Sequence, residues 1–204
     1  LVLAEAGLDV ACLPVLDVLS ADSHATAIGD RAFGADPAAV AALARAQVAG
    51  LETAGVLPVM KHLPGHGRAR VDSHDALPRI DAAPADLSAV DLAPFRALAH
   101  LPLAMTAHLL LPAVDDSRPS TLSAAVIDRL IRSVGPLGIG YRGLLMSDDL
   151  AMGALGPDPV ANALGALDAG CDLALYCPGE VEANRAVLSA LAGRLAPPVP
   201  ARPQ

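Results

Sequence analysis

The sequence predicts an α/β fold built on a parallel sheet, and three observations carry that prediction. Short apolar runs rich in Val and Leu alternate with longer Ala/Leu segments of helical period, the pattern of successive βα units. The polar punctuation falls almost entirely after the apolar runs, at what would be the carboxyl ends of strands, where parallel α/β folds bind ligands. With 53% apolar residues over 204 positions, the chain has ample material for one domain's core.

Five strands are expected, at 9–16 (DVACLPVL), 56–61 (VLPVMK), 102–107 (PLAMTA), 143–147 (GLLMS) and 172–177 (DLALYC). Between the first two, Asp36 and Pro37 set a cap and a first-turn proline ahead of a helix to about Ala54, stopped by Gly55. Further helices are expected over 84–99, 120–134, 158–169 and 180–194, the 120–134 helix capped by Ser120 or Ser123. We therefore divide the chain into a domain at 1–195 and a proline-rich, unstructured tail at 196–204, within APPVPARPQ.

Composition excludes several function classes. The formal net charge is -8 and no run of Lys or Arg occurs along the chain, which argues against a nucleic-acid surface. The longest apolar stretches, such as residues 101–114, are shorter than a bilayer requires and carry polar interruptions, so no membrane span is expected. Cys12, Cys171 and Cys177 are too few for a disulfide framework or a four-ligand zinc site and read as buried thiols. The opening LVLAEAGLDV has neither an initiator Met nor a basic leader region and reads as mid-domain sequence. We expect the cytoplasm, while an upstream leader would make the protein secreted or a lipoprotein.

The chemistry concentrates at residues 61–74, KHLPGHGRARVDSH. Asp72 and His74 lie on one side of an extended segment, close enough for a carboxylate to fix the tautomer of the imidazole and raise its basicity, as a general acid/base needs. The competing reading, an Asp capping a surface turn, is the better one for DSH alone and the weaker one after KHLPGHG. His62, His66 and His74 fit no tight zinc spacing, and Lys61 would put a cation beside the metal, so no metal and no cofactor are expected. Gly65 and Gly67 do not lead into a glycine-lined helix start, which makes a phosphate loop a weak reading. After the fourth strand, Asp148 and Asp149 offer a nucleophilic carboxylate or, more plainly, a helix cap before LAMGAL. Arg31, in IGDRAFGADP, is either an exposed charge or a clamp for hydroxyls. Asp17, His108, Met152 and His24 are candidate neighbours of the site, and His100 reads as ordinary surface.

Taken in order, GLDVACLPVLDV, AIGDRAFGADP, KHLPGHGRARVDSH, MTAHLLLP, GLLMSDDLAM and DAGCDLALYC resemble the β-N-acetylhexosaminidase branch of glycoside hydrolase family 3 over nearly the whole chain. The resemblance implies a (β/α)8 TIM barrel, of which this chain would supply the last five βα units, a complete barrel typically taking about 250 residues. It implies an exo-acting, retaining β-N-acetylglucosaminidase that removes terminal N-acetylglucosamine from short glycans such as peptidoglycan fragments. Asp148 would be the nucleophile, His74 paired with Asp72 the acid/base, and Arg31, Lys61 and His62 the contacts to sugar hydroxyls. A strand ending D-Q-E-G-G-R, which in the family contributes to the sugar site, does not occur here, and Leu63 stands where Phe is common. With no Trp, two Phe and two Tyr, the chain lacks the aromatic platforms used to grip long polysaccharides, which favours recognition of one sugar by polar contacts. The alternatives are a phosphorylase acting through the same intermediate, a non-catalytic sugar-binding remnant, and a metal-dependent hydrolase.

Overall fold

The computed structural model describes residues 2–20 and 27–193. The proline-rich tail and His24 lie outside the described residues. Four parallel strands, β1 (Val10–Ala11), β2 (Leu57–Leu63), β3 (Leu103–Thr106) and β4 (Leu144–Met146), form one sheet in the order β1-β2-β3-β4, so each chain crossover moves one strand along. The register aligns Val10 with Leu57, Val59 with Leu103, and Leu103 with Leu144. The result is an open arc of a TIM-barrel-like α/β fold, with β1 at one edge and the 172–177 segment, beside β4, at the other.

Two expected strands are shorter than the apolar runs that announce them. The first stretches from 9 to 16 in sequence but pairs as a ladder only at Val10–Ala11, resuming as a single bridge between Val15 and Lys61. Pro14 has no N–H to donate and interrupts the ladder between them. The fifth, 172–177, makes only one bridge, Leu173 to Met146. It is extended nonetheless, held by Ser147 N–H to the Leu173 carbonyl and Leu150 N–H to the Leu175 carbonyl, both at 2.9 Å. The Asp172 and Leu173 N–H groups bond to the Leu145 carbonyl at 2.7 and 3.2 Å, and side chains take the later positions: the Leu175 N–H goes to Ser147 Oγ at 2.8 Å and the Cys177 N–H to Asp149 Oδ1 at 3.0 Å.

The helices follow their caps. Asp36 accepts from the Ala38 N–H and Pro37 opens the helix Pro37–Thr53, with Gly55 in the left-handed region just beyond it (φ 75°). Asp158 caps Pro159–Ala169, which ends at Gly170 (φ 112°). The expected helix at 84–99 is instead Pro84–Asp86, a wide turn over Leu87–Asp91, and Ala93–Ala97. Pro94 accounts for the break, since a proline there removes a donor and crowds the carbonyl one turn back. At 120–134 the chain makes a tight turn over Ser120–Leu122, and Ser123, not Ser120, caps the helical segment from Ala124 by accepting from the Val126 N–H. Val181–Ala192 completes the described helices.

The core between sheet and helices is aliphatic, with Phe95 and Tyr141 its fully buried aromatic members among leucines 16, 63, 92, 98, 101, 109, 111 and 130. Of the three cysteines only Cys171 is buried, where burial raises its thiol to about 12; Cys12 and Cys177 are exposed, contrary to the expectation of buried thiols, because each lies beyond the paired residues of its strand. Among the described residues no helix is long and apolar enough to cross a membrane.

Large apolar side chains at or beside the strand starts, Val10 (46% exposed), Leu57 (47%), Leu144 (50%) and Leu173 (44%), stand uncovered across the open sheet. Together with unpaired edges they are a template for self-association. Produced as these 204 residues alone, the chain is therefore expected to sediment as aggregates; a monomeric boundary with a cooperative thermal transition is the contrary result.

Candidate active site

The site begins with a buried carboxylate. The Leu16 N–H bonds to the Lys61 carbonyl at 2.7 Å and the Lys61 N–H to the Pro14 carbonyl at 3.0 Å, which sets Asp17 beside the end of β2. Asp17 is fully buried and accepts from His62 Nδ1 at 2.6 Å, the His66 N–H at 2.6 Å and the His62 N–H at 3.4 Å. Burial alone would raise its pKa, but the charges and hydrogen bonds of His62 and His66 reverse that and hold the carboxyl below its ordinary range. Because a carboxylate only accepts, His62 donates through Nδ1, leaving Nε2 as its other functional nitrogen. Lys61, the single lysine in the sequence, is half-buried, and its side chain has no hydrogen-bond partner among the described residues.

The turn after β2 owes its shape to Gly67. A Cβ there would fall 2.0 Å from the Val18 carbonyl oxygen, so only glycine lets the turn lie against the strand that carries Asp17. The glycines of PGHG thus serve close backbone approach. His66, between them, is buried, with Nε2 3.2 Å from Ser73 Oγ and Nδ1 lacking a hydrogen-bond partner among the described residues. Burial, chiefly, lowers its pKa and keeps it neutral. The sequence offered His66 only as a metal ligand; its role in joining Asp17 to Ser73 had no signal beyond the spacing of the motif.

The Asp72–His74 contact forms, but on a turn and not on the extended segment expected: the Asp75 and Ala76 N–H groups both bond to the Asp72 carbonyl, at 3.0 and 3.1 Å. Asp72 Oδ1 accepts both the His74 N–H at 3.0 Å and His74 Nδ1 at 2.7 Å, which fixes the ring with Nε2 outward on an exposed side chain. Slight burial opposes ionisation of Asp72, and the His74 amide and ring, with the charge of Arg31, outweigh it, so the carboxyl titrates below its ordinary range. This loop is tied down: the Gly153 N–H donates to the His74 carbonyl and the Ala154 N–H to the Ser73 carbonyl, each at 3.0 Å. A Cβ on Gly153 would meet the His74 carbonyl at 2.5 Å. The acid/base candidate therefore docks on the segment that comes after Asp148 and Asp149.

At the end of β4 the two aspartates separate in role. Asp149 Oδ1 accepts from the Ala151 and Cys177 N–H groups, and its carbonyl accepts from His108 Nε2 at 2.9 Å and the Met152 N–H at 3.1 Å. Asp148 accepts the Asp149 N–H through Oδ1, and its charge reaches both His66 and His108. Burial keeps His108 neutral and lowers its pKa, so Nδ1 accepts from Thr121 Oγ1 at 2.8 Å, and Thr121 lies 2.8 Å from Thr106 Oγ1. That chain ties β3 to the Asp149 carbonyl. Met152 is buried beneath the same turn.

Arg31 is the candidate least committed to the cluster. It is exposed, and its guanidinium donates to the Ala27 carbonyl at 2.6 Å and the Ile28 carbonyl at 3.3 Å. Among the described residues no group of three or more His, Cys, Asp or Glu side chains is placed to hold a metal ion. The sequence also gave no sign of the pair that half-buried Arg68 makes with buried Asp91, 2.8 Å apart.

Residues 2–196 match the glycosyl hydrolase family 3 N terminal domain. The chain belongs to glycosyl hydrolase family 3. It is 45% identical over 187 residues to a β-hexosaminidase of Alkalilimnicola ehrlichii, a match covering 89% of this chain and 51% of that protein. The structure of a glycoside hydrolase family 3 β-N-acetylglucosaminidase from Paenibacillus sp. str. FPU-7 superposes with a TM-score of 0.85 at 36% identity, over 95% of this chain and 36% of that one. A family 3 glycosyl hydrolase from Mycobacterium smegmatis gives a TM-score of 0.84 at 41% identity, over 95% of this chain and 58% of that one. The chain thus spans about half the length of the curated relatives it matches.

Two buried neutral imidazoles give this family member a stability signature. The folded pKa values of His66 and His108 lie below the ordinary 6.5, so the unfolded chain binds protons that the fold excludes. Their contribution is fully present above pH 6.5 and is lost as pH falls below it. The thermal midpoint of the full-length protein should drop between pH 7 and pH 5, and His108→Gln should flatten the slope; an unchanged slope counts against a neutral His108.

Proposed function

We propose that the full-length protein carrying this chain is a retaining exo-β-N-acetylglucosaminidase that removes terminal N-acetylglucosamine from short glycans such as peptidoglycan fragments. One observation supports it above the rest: the Asp72–His74 pair is docked by two main-chain hydrogen bonds on the turn just beyond Asp148. An acid/base and a carboxylate nucleophile belong together in this way when one must protonate the oxygen leaving the carbon that the other attacks.

In the first step the Asp148 carboxylate forms a bond to the anomeric carbon as the glycosidic C–O bond breaks. The Nε2–H of the His74 imidazolium gives its proton to the leaving oxygen, while Asp72 stabilises the ring through Nδ1. In the second step His74 Nε2 takes a proton from water, the water oxygen attacks the same carbon from the vacated face, and Asp148 is released. Two inversions give retention. A histidine in place of the usual second carboxylate avoids like-charge repulsion with Asp148. Lys61 Nζ is a donor and His62 Nε2, with the ring proton on Nδ1, an acceptor suited to sugar hydroxyls, with Arg31 beside Asp72.

A second reading, phosphorolysis, gains support from the same imidazole, which does not repel an incoming phosphate as a carboxylate would. Product analysis in phosphate buffer separates the two, a sugar 1-phosphate marking phosphorolysis.

On a chromogenic N-acetyl-β-glucosaminide, Asp148→Asn should cost the full-length enzyme about 10⁴-fold in kcat or more. Asp72→Asn should cost roughly 10²–10⁴-fold. His74→Ala should lose far more on glycosides with poor leaving groups than on activated aryl ones, since only the former need a proton; equal losses on both would refute the acid/base assignment.

A further inference from the structure

Flanking the acid/base loop, the fold collects arginines that the sequence keeps apart. A cavity of about 230 Å³ is lined, among the described residues, by Ser20, Arg68, Arg70, Arg79, Ile80 and Asp81. Arg68 and Arg70 stand on the chain leaving His66, whereas Arg79 and Ile80 stand where it returns beyond His74. There Arg79 bridges Leu110 and the Ile80 N–H bonds to the Leu110 carbonyl at 2.9 Å. Ser20 comes from the segment after Asp17. The cavity therefore opens at the same end of the sheet as Asp17, His62 and His74. Arg70 is four residues from His74, at most roughly 14 Å between α-carbons at full extension.

Arg68 and Arg79 are held by carboxylates. Arg68 Nε donates to both oxygens of buried Asp91, at 2.8 and 3.1 Å, and its Nη nitrogens have no hydrogen-bond partner among the described residues. Arg79 donates to Asp81 through Nε and Nη2, at 2.9 Å each, which leaves Nη1. A guanidinium already fixed by a carboxylate loses little freedom when it binds a second oxyanion, and its planar fork matches two oxygens at once. Three guanidiniums thus line one small cavity, in a chain that is otherwise acidic.

Resting on the glycosidase reading, we infer that this cavity receives an anionic group, a carboxylate or a phosphate, carried on the leaving-group portion of the substrate. The side is set by the chemistry. A general acid must reach the leaving oxygen, so the loop that bears His74 lies over the bond to be broken, and the walls of that loop meet the leaving group. At about 230 Å³ the cavity suits a charged side arm and a few waters, a water taking about 30 Å³. It is too small for a folded peptide or a nucleic-acid strand.

The test compares 4-carboxyphenyl with 4-carbamoylphenyl N-acetyl-β-D-glucosaminide, which differ in charge at nearly constant shape. Binding is measured by calorimetry on the full-length protein carrying Asp148→Asn to suppress turnover. The carboxylate should bind about tenfold tighter, the size of one charge-assisted hydrogen bond, and less so at high salt. Arg70→Gln with Arg79→Gln should reduce that preference below about twofold while leaving the carbamoyl glycoside unaffected. Should the double variant not fold, Arg79→Gln alone, at an exposed ion pair, carries the same comparison. Equal affinities for the two glycosides, or a preference that survives the substitutions, would overturn the inference. So would inorganic phosphate binding to the same arginines without any carboxylate preference, which would make the cavity a free-anion site. Failure of the unsubstituted protein to cleave either glycoside would instead refute the hydrolase reading, with the binding comparison still deciding the cavity.

Discussion

The buried carboxylate of Asp17 organises everything at the carboxyl end of the sheet. It comes directly after the first strand, yet its three hydrogen-bond donors all belong to the end of the second strand and the turn that follows. Removing a carboxylate from water costs several kcal/mol, a penalty that hydrogen bonds to a charged group, at about 1.5–3 kcal/mol each, can offset only when several converge. The turn after β2 is consequently not free to choose its path. His62 must turn Nδ1 to Asp17, His66 must present its backbone N–H, and Gly67 must give up a side chain to pass the Val18 carbonyl. From there the constraint propagates: His66 reaches Ser73, Ser73 and His74 dock on Gly153 and Ala154, and that segment grows out of the turn carrying Asp148. A change at Asp17 would reach the Asp72–His74 pair through packed main chain.

The same route explains what could be read from the sequence. The alternation of Val/Leu runs with Ala/Leu helices, and the polar residues gathered after the runs, were sufficient for a parallel sheet with its chemistry at one end. Asp72 and His74 were legible as a pair from their spacing, but the contact is made by a turn that Asp72 caps and not by the extended segment expected. Asp17 was legible as a strand-end carboxylate but not as the partner of His62, since a contact 45 residues apart depends on strand register, which no local pattern fixes. The 172–177 segment was legible as extended but not as a bridge held by Ser147 and Asp149 side chains. Helix breaks at 84–99 and 120–134 were missed because apolar periodicity survives a wide turn, and only Pro94 gave warning of one of them. The three arginines at 68, 70 and 79 gave no signal as a cluster, because a loop folding back on itself is what brings them together.

The neighbouring aspartates at the end of β4 show how environment, not residue type, assigns the chemistry. Asp148 and Asp149 have the same side chain one position apart. Asp149 is consumed by structure: its Oδ1 takes two backbone N–H groups and thereby pins the start of the turn to Cys177, and its carbonyl anchors a neutral His108. Each bond draws electron density from a group that would otherwise attack, and each fixes its direction. Asp148 gives one oxygen to the Asp149 N–H, which orients the carboxylate, and has no further hydrogen-bond partner for Oδ2 among the described residues. A nucleophile needs a lone pair that is aimed and not already engaged. Both keep an Oδ2 without a hydrogen-bond partner among the described residues, but Asp148 accepts one backbone N–H where Asp149 accepts two, so Asp148 is the less engaged of the pair and the better match to the proposed nucleophile. No helix starts after the pair, so its reading as a helix cap does not hold: Asp149 closes a turn instead, and Asp148 is the carboxylate left for the nucleophile role proposed above.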